Sequence, residues 1–210
     1  FYCRFIMKKL IIPVLIAAFL WFLMFSPWTS QFFNFWIAMA ISATILITIS
    51  LTQRKSILDQ FNFNWKVIGF GLLSAVVLWM VFYLGDFFSK MLFDFARPQV
   101  DSIYAMKEGQ NKILLILGLL FIIGPAEEIF WRGYVQDRLI GKYGEWKAFI
   151  ITTLIYALVH IWSFNFMLVM AALICGIFWG LMYRYSKNLV PLVISHAVWD
   201  VAVFILFPIM

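Results

Sequence analysis

Charge is what this chain has least of. Asp, Glu, Lys and Arg make up 12% of its residues, where soluble domains carry about 25%. A water-soluble fold is thereby excluded, because the polar surface that would cover it is missing. Cysteine is equally scarce. Cys3, near the N-terminus, and Cys175, inside an apolar run, are the only two, which leaves no disulfide framework and no metal-ligand spacing. Histidine occurs twice, as His160 and His196. Internal repeats, low-complexity tracts and nucleic-acid modules are all missing. The net charge of +6 therefore reads as cytoplasmic loops beside anionic lipid, with no nucleic-acid partner.

What is there is apolar. Of 210 residues 65% are hydrophobic, with a mean hydropathy of +0.96. About 20 apolar residues span the hydrocarbon core of a bilayer. The runs at 6–25, 32–51, 66–85, 112–137, 147–163, 166–184 and 189–207 predict seven helices. The expected fold class is therefore all-α, a polytopic transmembrane bundle of about seven spans in a cell membrane. Two regions are expected. Residues 1–111 form a three-span N-terminal region with an amphipathic outer loop at 86–111. Residues 112–207 form the core, in the last four spans. Lys8 to Phe25 has the charge-then-apolar order of a signal peptide, but its long bulky run ends without a small-residue cleavage site. A retained first span is expected. Met7-Lys8-Lys9 resembles a bacterial start, so residues 1–6 are expected to be an upstream extension.

With a cytoplasmic N-terminus, Arg4, Lys8, Lys9, Arg54, Lys55, Lys66, Arg132, Arg138, Lys142, Lys147, Arg184 and Lys187 fall at the inner side. Lys90, Arg97, Lys107 and Lys112 lie in or beside 86–111, balanced by Asp86, Asp94, Asp101 and Glu108. This is a positive-inside distribution.

Against this background, Glu127, Glu128 and Arg132 stand inside the fourth apolar run. An ionisable group at the centre of a spanning helix costs about 2.5–3.5 kcal/mol on the insertion scale, so such groups persist where they face a protein-lined cavity. Both histidines also lie in predicted spans, and Asp200 follows His196 by four residues, on the same helix face. A hairpin turning near Tyr143 would place Glu127 and His160 each about 25 Å from the turn, at 1.5 Å per residue. His196 and Asp200 would stand about 10–16 Å above Leu189. The polar end of the fourth helix (Arg132, Gln136, Asp137, Arg138) is expected to project into the cytoplasm. The groups would then converge in the inner half of the membrane. Glu128 and Arg132 are spaced to pair along the helix. Glu127 points about 100° away and is left for chemistry.

Three short patterns carry a resemblance. Glu127-Glu128-Ile129-Phe130-Trp131-Arg132 matches an EExxxR motif. Tyr156-Ala157-Leu158-Val159-His160 resembles FxxxH, with Tyr in place of Phe. His196-Ala197-Val198-Trp199-Asp200 matches HxxxN/D. In this order, on separate spans, they resemble the CPBP family of CAAX prenyl proteases and bacteriocin-processing or immunity (Abi) proteins. The resemblance covers about 112–203. It implies a glutamate-type intramembrane endopeptidase that hydrolyses a peptide bond in a membrane-associated peptide or protein. Glu127 with His160 would activate water, His196 and Asp200 would face the oxyanion, and Glu128 and Arg132 would support them. Asp200 departs from Asn, since an ionised carboxylate repels an oxyanion. Either Asp200 carries a proton, or it orients and charges His196, which donates alone.

The same residues admit other readings. His160, His196 and Glu127 would also suit zinc. No HExxH is present, however, and the resemblance implies a metal-free mechanism without a cofactor. A non-proteolytic immunity or regulatory scaffold, bound to a membrane partner such as a sensor kinase or transporter, is the second function class. A proton-coupled carrier is the third, although no paired inverted repeats support it.

Overall fold

The structure, a computed structural model, describes the backbone of residues 2–209 and the side chains of 9–209. The expected extension at 1–6, with Cys3 and Arg4, lies outside the described side chains, as does Lys8. Every regular element among the described residues is helical. In chain order these are α1 (Tyr2–Phe25), α2 (Phe35–Gln53), α3 (Trp65–Leu92), α4 (Ala96–Ala105), α5 (Lys112–Tyr143), α6 (Glu145–Leu158), α7 (Phe166–Ser186) and α8 (Leu189–Leu206). Six helices are long and apolar enough to cross a membrane, and Lys9–Phe25 of α1 adds a shorter apolar one. The chain is a polytopic helical bundle.

Asparagine starts the helices. Asn34, Asn64, Asn111, Asn165 and Asn188 each accept a backbone N–H from the first turn of α2, α3, α5, α7 and α8. Each such cap contributes about 0.5–2 kcal/mol. The α5–α6 turn closes on Gly144, whose φ of 77° is the left-handed conformation that glycine adopts without strain.

Three expectations need correction. First, 86–111 is not a loop throughout. α3 runs on to Leu92, helped by the Asp86–Lys90 ion pair at 2.6 Å, one helical turn apart. The amphipathic piece is α4, which turns Ala96, Val100, Ile103 and Tyr104 inward and leaves Arg97 and Asp101 paired outside. Second, the regular α-helix of α6 gives way after Leu158 to a tighter turn, so His160 lies in the irregular last part of the Glu145–Ser163 span. Third, the polar end of α5 does not project away from the bundle. Arg132 and Gln136 are buried. Gln136 donates to the Gly180 carbonyl at 2.9 Å, and Asp137 accepts from Tyr183 Oη at 2.9 Å and pairs with Arg54. The short helical turn Lys55–Gln60 tucks the fully buried Ile57 under this end.

Helix α5 is irregular where it matters. Two π-helical stretches, Leu119–Ile123 and Ile129–Gln136, flank the α-helical Gly124–Glu128. Pro125 has no N–H to give to the preceding turn, and π-turns of this kind gather at functional sites. Gly124 presses on α8. A Cβ there would lie 3.0 Å from the backbone N and Cα of Ala197. Only glycine allows this approach, which brings the Glu127–Arg132 turn beside His196.

Candidate active site

The two neighbouring acids of α5 have different surroundings. Glu128 is fully buried. Its Oε1 accepts from Arg132 Nη1 at 2.8 Å and from His196 Nδ1 at 2.7 Å. The Arg132 guanidinium also lies 4.7 Å from the Tyr156 ring centroid and 5.6 Å from that of Trp179. One carboxylate thus joins α5 to α8, and its charge is met by a cation at the same depth. Glu127 makes neither contact. Its Oε2 accepts from Tyr156 Oη at 2.9 Å, which leaves Oε1 clear of that bond.

His196 is held on three sides. Glu128 takes Nδ1, Trp179 stacks on the ring at 3.8 Å with an interplanar angle of 17°, and Asp200 Oδ2 lies 3.5 Å from Nε2. Trp179 is itself anchored by its N–H to Ser195 Oγ at 3.1 Å.

His160 has different partners from those expected. Its Nδ1 is 2.8 Å from the Tyr156 carbonyl, one of the acceptors freed where α6 ends. Its Nε2 faces the Trp21 indole N–H at 3.1 Å. A carbonyl only accepts and an indole N–H only donates. The partners therefore assign the proton to Nδ1 and leave Nε2 as an acceptor. Tyr156, not His160, is the group that reaches Glu127.

Glu127, Tyr156, His160, His196 and Asp200 line one cavity of about 480 Å³. The four expected site residues are thus brought together, and Glu128 and Arg132 stand behind them. The walls are mainly apolar, with Phe93, Val100, Ile103, Met167 and Met170 among them. Burial pushes the Tyr104 phenol above its ordinary range, so at neutral pH it is an uncharged wall group that accepts from Ile209 N at 3.0 Å. Among the described residues, no three His, Cys, Asp or Glu side chains are grouped to hold a metal ion.

The cavity widens toward one end of the bundle. Phe25, Phe35, Phe93, Tyr104, Phe166 and Phe204 wall the cavity, and all sit at the bundle end that carries α4. The expected sliding of α5 out of the bundle does not occur. Its buried Arg132 and Gln136 hold it in. Trp21 and Trp131 pack edge-on at 6.3 Å behind the site, Trp21 against the His160 ring and Trp131 against that of Tyr156.

Three contributors escaped the sequence pattern. The Tyr156 hydroxyl was signalled only by Tyr standing where the motif has Phe. Trp21 and Trp179 belong to no motif, and apolar spans are full of such residues.

Residues 109–202 match the family model described as type II CAAX prenyl endopeptidase Rce1-like. Over this segment the chain is similar to that family. The match spans α5 to α8 and contains all three motifs, so the CPBP resemblance holds. It leaves out α1 to α4, although the Rce1-like segment takes a hydrogen bond from Trp21 of α1. No curated protein and no solved structure matches the chain.

Proposed function

We propose that the chain is an intramembrane endopeptidase of the glutamate type, acting on a membrane-associated peptide or protein. The observation that carries this reading is the shared cavity, where Glu127, His160, His196 and Asp200 meet inside apolar walls. In this reading Glu127 Oε1 takes a proton from a water molecule, and the hydroxide attacks the scissile carbonyl carbon. His160 Nε2, an acceptor, is the second group able to share that water, in place of the Trp21 N–H. The carbonyl π pair becomes the oxyanion of the tetrahedral intermediate. As the C–N bond breaks, Glu127 returns its proton to the leaving amine.

The geometry favours one of the two roles left open for Asp200. His196 lies between the Glu128 and Asp200 carboxylates. A carboxylate on each side of one imidazole suits its charged form, whose Nε2–H, met by Asp200 only at 3.5 Å, is then the donor to the oxyanion. Asp200 charges and orients His196 and does not face the oxyanion itself.

The family description points to C-terminal peptides carrying a prenyl group. Apolar cavity walls suit such a lipidated or strongly apolar peptide, and leader or pheromone precursors fit them equally. Lys9, Arg54, Lys55, Lys66, Arg138, Lys142, Lys147, Arg184 and Lys187 cluster at the end opposite α4. By the positive-inside rule that end, with the N-terminus, is cytoplasmic, and the cavity belongs to the outer half. No metal takes part in this mechanism. Inhibition by 1,10-phenanthroline that added zinc reverses would overturn that.

The test compares membrane peptides from cells carrying the wild type or Glu127→Gln. A peptide should accumulate uncleaved with the variant, since losing an acid–base group costs about 10²–10⁴ in rate. Undiminished processing by a folded Glu127→Gln protein would remove the peptidase reading in favour of a scaffold.

A further inference from the structure

Tyr156 hydrogen-bonds both groups assigned to water activation. Its hydroxyl donates to Glu127 Oε2 at 2.9 Å, and its carbonyl accepts from His160 Nδ1 at 2.8 Å. The ring is clamped between Trp131, edge-on at 5.4 Å, and the Arg132 guanidinium at 4.7 Å. Arg132 is bound in turn to the carboxylate that holds His196. The side chain is buried and lines the cavity. Phenylalanine, which the motif has at this position, would keep the ring contacts and lose the hydroxyl. The hydroxyl is therefore a feature of this chain, and packing does not account for it.

We propose that Tyr156 is a positioning residue for the hydrolytic reaction. Its phenol holds Glu127 by Oε2, so that Oε1 is the oxygen presented to the attacking water. A carboxylate on a flexible side chain in an apolar cavity has several rotamers open to it, and only some point an oxygen at the water. The phenol selects among them, while its backbone carbonyl sets the ring orientation of His160. Acid and imidazole are thus referred to one residue on α6. This rests on the peptidase reading above, because positioning has meaning only if Glu127 acts on a water.

Two measurements test it. The first uses purified protein without substrate. Infrared difference spectra of wild type against Glu127→Gln isolate the Glu127 carboxyl band, and Tyr156→Phe should move that band. A band at the wild-type frequency in Tyr156→Phe overturns the proposal, because the phenol then does not hold the acid. The second follows cleavage of a fluorescence-quenched S-farnesyl CAAX-type peptide. Tyr156→Phe should lower kcat about 10- to 100-fold while KM stays within about twofold, with an unchanged melting temperature. A merely structural role would lower stability and leave the infrared band in place. Wild-type kcat in Tyr156→Phe beside an inactive Glu127→Gln overturns the role of Tyr156 alone. Wild-type cleavage by Glu127→Gln overturns the reading on which it rests.

Discussion

The indole N–H of Trp21 donates to Nε2 of His160 at 3.1 Å, across 139 residues of chain. A helix that carries no motif thereby sets the tautomer of a motif histidine. Phe25, from the same helix, adds a ring 5.4 Å from the imidazole. The site is completed from both parts of the chain.

Trp21→Phe isolates this contact. The ring volume is largely kept, so the packing against Trp131 survives, but Nε2 of His160 loses its donor. An unsatisfied buried acceptor costs about 1–3 kcal/mol. A loss of stability of that size, read as a lower melting temperature, is expected in detergent, and the imidazole ¹⁵N shifts of His160 should report a changed Nε2 environment. Unchanged ¹⁵N shifts would mean that the indole does not hold the ring.

Much of the fold was legible because lipid permits few solutions. A spanning segment must satisfy its own backbone, so apolar length alone located the spans. The converging acids and histidines were legible for a related reason, since charge in lipid is expensive and therefore informative. The partners were less legible. Trp21 and Trp179 are two of ten tryptophans, and hydropathy does not separate a hydrogen-bonding indole from a lipid-facing one. The burial of the α5 end was misjudged because a polar helix end looks the same whether it meets water or, like Gln136, a carbonyl of a neighbouring helix. The five Asn caps could have been read from the sequence, since each stands just before an apolar run.

The Glu128–Arg132 pair carries a second expectation. Both side chains are almost wholly buried. Removing one partner of such a pair leaves an uncompensated charge and costs about 3–5 kcal/mol. Arg132→Met should therefore lower the melting temperature and the yield sharply. Glu128→Gln together with Arg132→Met should recover part of that loss, because no lone charge remains. Cleavage should stay impaired in the double variant, since His196 Nδ1 no longer meets a carboxylate. Recovery of both stability and cleavage would show that Glu128 does not orient His196.

Gly124 supplies a test of backbone geometry. In Gly124→Ala the new Cβ meets the Ala197 backbone, which cannot swing aside as a side chain does. α5 and α8 must part by a few tenths of an ångström. Overpacking of this kind costs about 1–3 kcal/mol, and here it also stretches the Glu128–His196 bond. Gly141→Ala is the control, with open space around its Cβ and a helical site where Ala is favoured by up to about 1 kcal/mol. Gly124→Ala should lose stability and cleavage together, while Gly141→Ala should keep both. Equal behaviour of the two variants would remove the close approach as the cause.

The side from which the cavity is reached is proposed here from charge alone and can be tested directly. Of the two cysteines, Cys175 is buried, and replacing Cys3 by Ser leaves no other thiol to label. In that background Glu108→Cys marks the α4 end and Lys147→Cys the opposite end, both at exposed positions. A maleimide that does not cross membranes should label Glu108→Cys in intact cells, and Lys147→Cys only after permeabilisation. The argument is electrostatic. The α4 end balances Lys90, Arg97, Lys107 and Lys112 with Asp86, Asp94, Asp101 and Glu108, whereas the other end carries basic residues in excess. The reverse labelling pattern would put the cavity on the cytoplasmic side, and the substrate would then be a peptide presented from within the cell. With the expected pattern the scissile bond lies in the outer half of the bilayer, and the substrate must thread its cleavage site past the membrane midplane or arrive from outside.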